Sequence, residues 1–114
     1  MLILPIKKQW YDMILSGEKK EEYREIKPYY TKRFDNQLNR TLTVGGKKGT
    51  LNEWLRADNK HYLDVKFRNG YSSISPFFDS KCQLMIGKGR SEWGAEPGKE
   101  YYVLKVIQIN NNQN

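Results

Sequence analysis

Apolar and polar residues alternate at two-residue spacing in several short stretches of the chain. The clearest is Leu63, Val65 and Phe67, with a charged residue in each gap. Because successive side chains of a strand point to opposite faces, this alternation predicts a half-buried β-strand. Further strands are predicted at residues 2–7, 20–24, 82–86 and 101–109. Pro5 favours an edge or bulge position for the first of these, and the last is apolar enough on both faces to be central.

A spacing of three and four residues predicts short helices between the strands. Trp10, Met13 and Ile14 share one face of a predicted helix over residues 9–16. Gly17 follows, and a glycine readily adopts the left-handed conformation that ends a helix. We interpret Trp10 as a core anchor of this helix.

Residues 35–60 are polar and are predicted to form a variable excursion from the core. A helix begins shortly before them at Pro28, since proline suits the first helical position. Within the excursion, the glycine-rich residues 45–50 lack the spacing of a phosphate-binding loop and are interpreted as a loop that leads into a helix. Thr50 and Glu53 have the spacing of a capping box at the start of that helix.

Two dipeptides carry turn signals in the second half of the chain. Asn69-Gly70 is the strongest short signal for a two-residue hairpin turn, which would place Arg68 opposite Tyr71. Pro97-Gly98 has the residues of a type II turn. Short strands with two or three short helices therefore predict a small α+β protein on a curved or closed antiparallel sheet.

Size and composition limit the classes of function. The chain has 114 residues, 38% hydrophobic and 29% charged, which is typical of one globular domain. No apolar run approaches the roughly 20 residues that span a bilayer, so no membrane role is expected. A single cysteine, Cys82, and a single histidine, His61, exclude an internal disulfide and are too few for a zinc site. We expect a cytoplasmic protein with neither metal nor cofactor.

The formal net charge of +7 favours a polyanionic partner, although solubility alone explains it equally well. A more local charge cluster lies at Lys19, Glu22 and Arg24. In a strand, Glu22 and Arg24 share one face, and Lys19 reaches Glu22 only if it precedes the strand in a bend. This cluster either braces the sheet as ion pairs or receives a polar, partly anionic ligand; Arg68 is a further candidate for it.

Aromatic residues outside the predicted core are candidates for stacking on a nucleobase. Tyr71 follows the predicted hairpin turn, and Trp93 lies in a segment bounded by glycine and proline, where a large ring is hard to bury. Core packing remains the alternative for both. Of the two, Trp93 is the stronger candidate.

The pattern G-x-K-x-x-E-x-R at Gly17, Lys19, Glu22 and Arg24 resembles the signature of the ASCH domain family, a branch of the PUA-like superfamily. Stretches 67–71 and 92–101 resemble a subgroup of short, stand-alone ASCH proteins often found in phages and prophages. The resemblance covers residues 1–110 apart from the excursion at 35–60, and leaves 111–114 as a polar tail.

The resemblance implies a PUA-like antiparallel β-barrel of about five to six strands, with two to three short helices and a cleft lined by the signature. It implies binding of RNA or of a nucleotide or nucleoside, with Lys19, Glu22, Arg24, Arg68, Tyr71 and Trp93 as the expected ligand-binding residues. Some relatives are amidohydrolases that deacetylate N4-acetylcytidine, and a ribonuclease has been described. A hydrolase using Lys19 and Glu22 is therefore one alternative, although the amidohydrolases carry a threonine nucleophile where this chain has Glu22. A phage protein-interaction module is the other.

Overall fold

The computed structural model describes residues 1–38, 43–44, 47–48, 50–57 and 61–110. Its helices are α1 (Lys8–Leu15), α2 (Pro28–Leu38) and α3 (Leu51–Arg56), with one 3₁₀ turn at Ser91–Trp93. Its strands are β1 (Leu2–Ile6), β2 (Glu21–Arg24), β3 (Thr43–Val44), β4 (Lys47–Lys48), β5 (His61–Asn69), β6 (Phe77–Lys88) and β7 (Glu100–Asn110).

Five strands form one sheet in the order β1-β5-β6-β7-β2, and β3 pairs with β4 apart from it. The sheet is a mixed half-barrel accompanied by three helices, which confirms the predicted α+β architecture. One detail differs from the antiparallel sheet expected from the sequence: β1 runs parallel to β5, whereas the other neighbours are antiparallel. Strand β1 lies at an edge and β7 has a neighbour on each side, as predicted.

The two edge strands of the sheet approach each other. In a flat sheet β1 and β2 would lie about 19 Å apart, four steps of about 4.8 Å. Instead, Arg24 of β2 donates to the carbonyl oxygen of Pro5 in β1 at 3.2 Å. Arg33 of α2 donates to the carbonyl oxygen of Ile3 at 2.8 Å. The sheet is therefore strongly curled, and two arginines cover the outer edge of β1, where Pro5 has no N–H group to expose.

The concave face of the sheet holds the core. In β5 the alternating residues Leu63, Val65 and Phe67 are buried, as their spacing predicted. Each helix adds apolar side chains to the same cluster, and those that are buried are Tyr11 and Ile14 of α1, Phe34 of α2, and Leu51 and Leu55 of α3. The end of the predicted excursion thus contributes to the core through α3.

The predicted two-residue turn at Asn69-Gly70 is wrong. Arg68 stands opposite Phe77 in the register of β5 and β6, not opposite Tyr71. Asn69 remains part of the ladder, since its N–H donates to Pro76 O at 2.8 Å. Gly70 donates to Ile6 O of β1 at 3.1 Å, so its backbone still bonds to β1 rather than closing a tight turn. The connection is a loop over residues 70–76.

Two other local predictions are confirmed, and one is partly wrong. The Thr50 hydroxyl accepts from the Glu53 N–H at 3.1 Å and caps α3. Gly98 has φ +78°, and Lys99 donates to Glu96 O at 3.3 Å, as a type II turn requires. The interpretation of residues 45–50 as a loop is wrong at Lys47 and Lys48, which pair with β3 as strand β4. Residues 45, 46 and 49 and the predicted polar tail at 111–114 lie outside the described part.

Tyr102 joins the helices α2 and α3 to the sheet. It is buried in β7, and its hydroxyl lies 2.5 Å from the Thr31 hydroxyl of α2 and 2.5 Å from the Asn52 Oδ1 of α3. Burial raises the pKa of Tyr102 above its usual value. One buried hydroxyl therefore fixes α2 and α3 on the same strand.

Removing this hydroxyl is expected to destabilise the fold measurably. Tyr102→Phe leaves Asn52 Oδ1 and the Thr31 hydroxyl without that partner, which costs about 1–3 kcal/mol of unfolding free energy. Urea denaturation followed by circular dichroism measures it. Tyr29→Phe is the matched control, because Tyr29 is 60% exposed and should change little. A Tyr102→Phe protein as stable as the control would contradict this role.

Candidate functional site

A cavity of about 390 Å³ opens where the edge strands β1 and β2 meet. It lies along the seam of the half-barrel, between the end of β1, the start of α1, strand β2 and the loops after β5 and at the 3₁₀ turn. Its walls are formed by Pro5, Ile6, Lys7, Lys8, Trp10, Glu22, Tyr23, Arg24, Asn69, Gly70, Tyr71, Trp93 and Gly94.

Glu22 and Arg24 sit on the same face of β2, as the two-residue period of a strand requires. Arg24 donates to Glu22 Oε2 at 2.8 Å and to Pro5 O at 3.2 Å, and its other terminal nitrogen donates to the Tyr30 hydroxyl at 3.4 Å. The Arg24 side chain is 16% exposed, so this arrangement is largely shielded from water. The Arg24 guanidinium therefore pairs with Glu22 and also links β2 to β1.

Lys19 contacts Glu22 from a bend before β2, which is the arrangement that strand alternation permitted. It lies before β2, and its N–H donates to Met13 O at 2.9 Å, which fixes the segment on the end of α1. Gly17, with φ +87°, makes the turn that carries the chain there. The Lys19 ammonium then lies 3.2 Å from Glu22 Oε1.

The Lys19 side chain is completely buried. Its Nζ donates to Trp93 O at 2.5 Å and lies 4.8 Å from the Trp10 ring and 4.9 Å from the Tyr23 ring. Burial lowers the pKa of Lys19, whereas the Glu22 carboxylate acts to raise it. The lysine is therefore held by one carboxylate, one carbonyl and two aromatic faces.

The loop that carries Trp93 packs closely on β2. A Cβ on Gly89 would come within 2.6 Å of the Tyr23 ring and of Ala95, so only glycine fits there. The Tyr23 hydroxyl accepts from the Arg90 N–H at 3.0 Å, and the Arg90 guanidinium lies 4.7 Å from the Trp93 ring. These contacts fix a half-buried indole at the wall of the cavity.

Four of the six residues expected from the sequence line this cavity: Glu22, Arg24, Tyr71 and Trp93. Lys19 and Arg68 are not among its described lining residues. Lys19 is buried and contacts the Glu22 carboxylate. Arg68 follows the buried Phe67 in β5, so strand alternation places it on the convex face.

The lining includes residues that the sequence did not single out, among them Lys7, Lys8, Trp10 and Asn69. Trp10 was interpreted as a core anchor, and it does pack against the core while also lining the cavity. Helical spacing cannot separate these roles, because both need the same face of α1. The basic pair at the end of a predicted strand was the available signal for Lys7 and Lys8.

Within the described residues, no group of three or more histidine, cysteine or acidic side chains is arranged to hold a metal ion. Nor does any described helix combine the length and apolar character needed to cross a bilayer. Comparison with protein-family models, with curated proteins and with solved structures found no match.

The buried pair predicts a large cost for removing either charge alone. Glu22→Ala leaves the Lys19 ammonium buried without its carboxylate, and we expect a loss of about 3–5 kcal/mol in unfolding free energy. Lys19→Met combined with Glu22→Leu should cost less than the sum of the single changes, since no unpaired charge stays buried at Lys19. Denaturant unfolding of Lys19→Met, of Glu22→Leu and of their combination measures this coupling, and that of Glu22→Ala measures the cost of the unpaired ammonium.

The control is an exposed pair in the same protein. Lys8 and Asp12 lie 2.5 Å apart with side chains 76% and 53% exposed, so Asp12→Ala should cost less than about 1 kcal/mol. Additive costs for Lys19 and Glu22 would show that the two charges do not depend on each other.

Proposed function

We propose that the seam cavity binds a nucleotide, either free or as part of a single-stranded RNA. The observation that carries this proposal is the presence of a paired carboxylate, a guanidinium and an indole in one cavity: Glu22, Arg24 and Trp93. Its volume of about 390 Å³ is within the range of about 300–1,000 Å³ typical of small-ligand sites.

Each wall of the cavity suits one part of a nucleotide. The Trp93 ring offers a stacking surface for a base. Glu22 keeps unused acceptor positions beside its two cations, and these suit an amino group on a base edge or a ribose hydroxyl. Lys7 is exposed at the mouth and suits a phosphate, since Arg24 is already bonded to Glu22 and Pro5 and Lys8 is paired with Asp12.

Binding is favoured over hydrolysis by the position of Lys19. Its ammonium faces Glu22, Trp93 O and two rings, and it is not among the described lining residues. The described lining also contains no serine, threonine or cysteine that would serve as a nucleophile. A hydrolase at this cavity would have to activate water with Glu22.

Titration with nucleosides, nucleotides and short RNAs tests the proposal. Base stacking on an aromatic ring is worth about 1–3 kcal/mol, so Trp93→Ala should weaken binding by about 5- to 150-fold. The backbone carbonyl that holds Lys19 is retained in this variant. Tyr62→Ala serves as the control, because Tyr62 is 47% exposed and is not among the described lining residues. Isothermal titration calorimetry measures each affinity.

Equal losses in Trp93→Ala and Tyr62→Ala would remove the cavity from consideration. Incubation with N4-acetylcytidine and with labelled RNA, followed by mass spectrometry, tests the hydrolase alternative in parallel. Turnover that disappears in a folded Glu22→Gln variant would replace binding by catalysis. If no nucleic-acid ligand binds, the protein-interaction module remains.

A further inference from the structure

An exposed apolar tip adjoins the cavity. In the loop 70–76, Tyr71 and Ile74 are each 90% exposed, and Phe77 at the start of β6 is 41% exposed. Tyr71 also lines the cavity, so the tip is continuous with it. Single exposed apolar residues are ordinary, but a group of them within one loop marks an interaction surface.

Cations accompany these rings on the convex face of the sheet. The Lys66 ammonium lies 4.1 Å from the Phe77 ring. Arg68 stands between Pro5 of β1 and Phe77 of β6 in the strand register. One carboxylate, Asp79, stands opposite Lys66 in the strand register, so Lys66 and Arg68 together leave one positive charge in excess.

Arg68 differs from the other arginines near the cavity. The Nε of Arg68 is buried without a hydrogen-bond partner, as is that of Arg24, so the difference lies in the ion pairs. No ion pair between described residues involves Arg68, whereas Arg24 and Arg90 each pair with a glutamate. An arginine that keeps its charge uncompensated beside exposed rings has the donors that a phosphate requires.

We propose that the ligand is a single-stranded RNA longer than one nucleotide, and that its chain leaves the cavity along a track formed by Tyr71, Arg68 and Phe77. This inference rests on the proposed function of the cavity. Pro5 borders the cavity, Arg68 is the neighbour of Pro5, and Phe77 is the neighbour of Arg68. At strand spacing these steps cover about 10 Å.

The chemistry of the track fits a nucleic-acid strand better than a protein segment. Single strands bind to surfaces that combine stacking rings with positive charges along the backbone path. Here Tyr71 and Phe77 supply the rings, and Arg68 and Lys66 supply the charges. An apolar protein partner would use the tip alone and would gain nothing from the unpaired guanidinium.

The test compares one nucleotide with several. Cytidine and adenosine monophosphates and a fluorescein-labelled RNA hexamer of mixed sequence are titrated at several salt concentrations between 50 and 200 mM, roughly the range in which phosphate contacts show their salt dependence. We expect the hexamer to bind at least about tenfold more tightly than either monophosphate. Arg68→Ala should weaken the hexamer about tenfold and reduce the slope of log K against log salt by about 0.7, one phosphate contact.

Arg68→Ala should leave the affinity for both monophosphates within about twofold, because Arg68 is not among the described residues of the cavity. Lys81→Ala is the matched control: Lys81 is exposed on the same convex face of β6, away from the tip, and its removal should change neither the hexamer affinity nor the slope. Circular dichroism of each variant verifies folding.

A hexamer that binds no more tightly than the monophosphates would overturn the track and leave the tip to a protein partner, with the cavity proposal intact. An Arg68→Ala loss that is equal for monophosphates and hexamer would also overturn it. If neither the monophosphates nor the hexamer bind to the unaltered protein, the cavity proposal itself fails.

Discussion

A chain of polar contacts across the seam holds the half-barrel in its curled form. It runs from Trp93 O to the Lys19 ammonium, then through Glu22 to Arg24, and ends at Pro5 O in β1. The 3₁₀ turn, the strand β2 and the strand β1 are therefore joined by three charged side chains. Because β1 and β2 are the two edges of the sheet, this chain sets how far the sheet closes and how wide the cavity is.

Such a network is an expensive way to join strands. Taking a lysine and a glutamate out of water costs several kcal/mol per ion, and apolar side chains of similar volume often do as well or better. Within the same protein, the contact of α2 and α3 with β7 is fixed by a neutral hydroxyl, that of Tyr102. The charged network occurs where a cavity opens, and there it places a carboxylate and a guanidinium in the cavity wall.

The sequence was informative where local periodicity decides the structure. Strand parity placed Glu22 and Arg24 on one face, and it also required Lys19 to lie in a bend before β2, which is where it lies. Parity placed Arg68 on the face of β5 opposite Phe67, but it did not reveal that this face points away from the cavity, because the position of the cavity depends on where β1 and β2 meet.

Contacts between distant segments were beyond the reach of periodicity. The prediction of a two-residue turn after β5 was wrong because the Gly70 N–H donates to Ile6 O of β1. That parallel pairing leaves no signal in the local sequence. The bond from Arg24 to Pro5 O depends on the curvature of the whole sheet. Trp10 was assigned to the core alone, since the same helical face reaches both the core and the cavity.

The network separates the parts of the site that hold the fold from those left for a ligand. Trp93 is tied to Lys19 by its backbone carbonyl, so its ring is not needed for that bond. Glu22 and Arg24, in contrast, serve the seam with the same atoms that face the cavity. A ligand that binds Glu22 or Arg24 must therefore also stabilise the closure of β1 on β2, because any partner bound to the native state alone shifts the folding equilibrium toward it. Substitutions at Glu22 or Arg24 therefore change affinity and stability together. The Trp93 ring takes no part in the bond to Lys19 and Arg68 makes no ion pair between described residues, which is why the ring of Trp93 and the guanidinium of Arg68 distinguish recognition from folding.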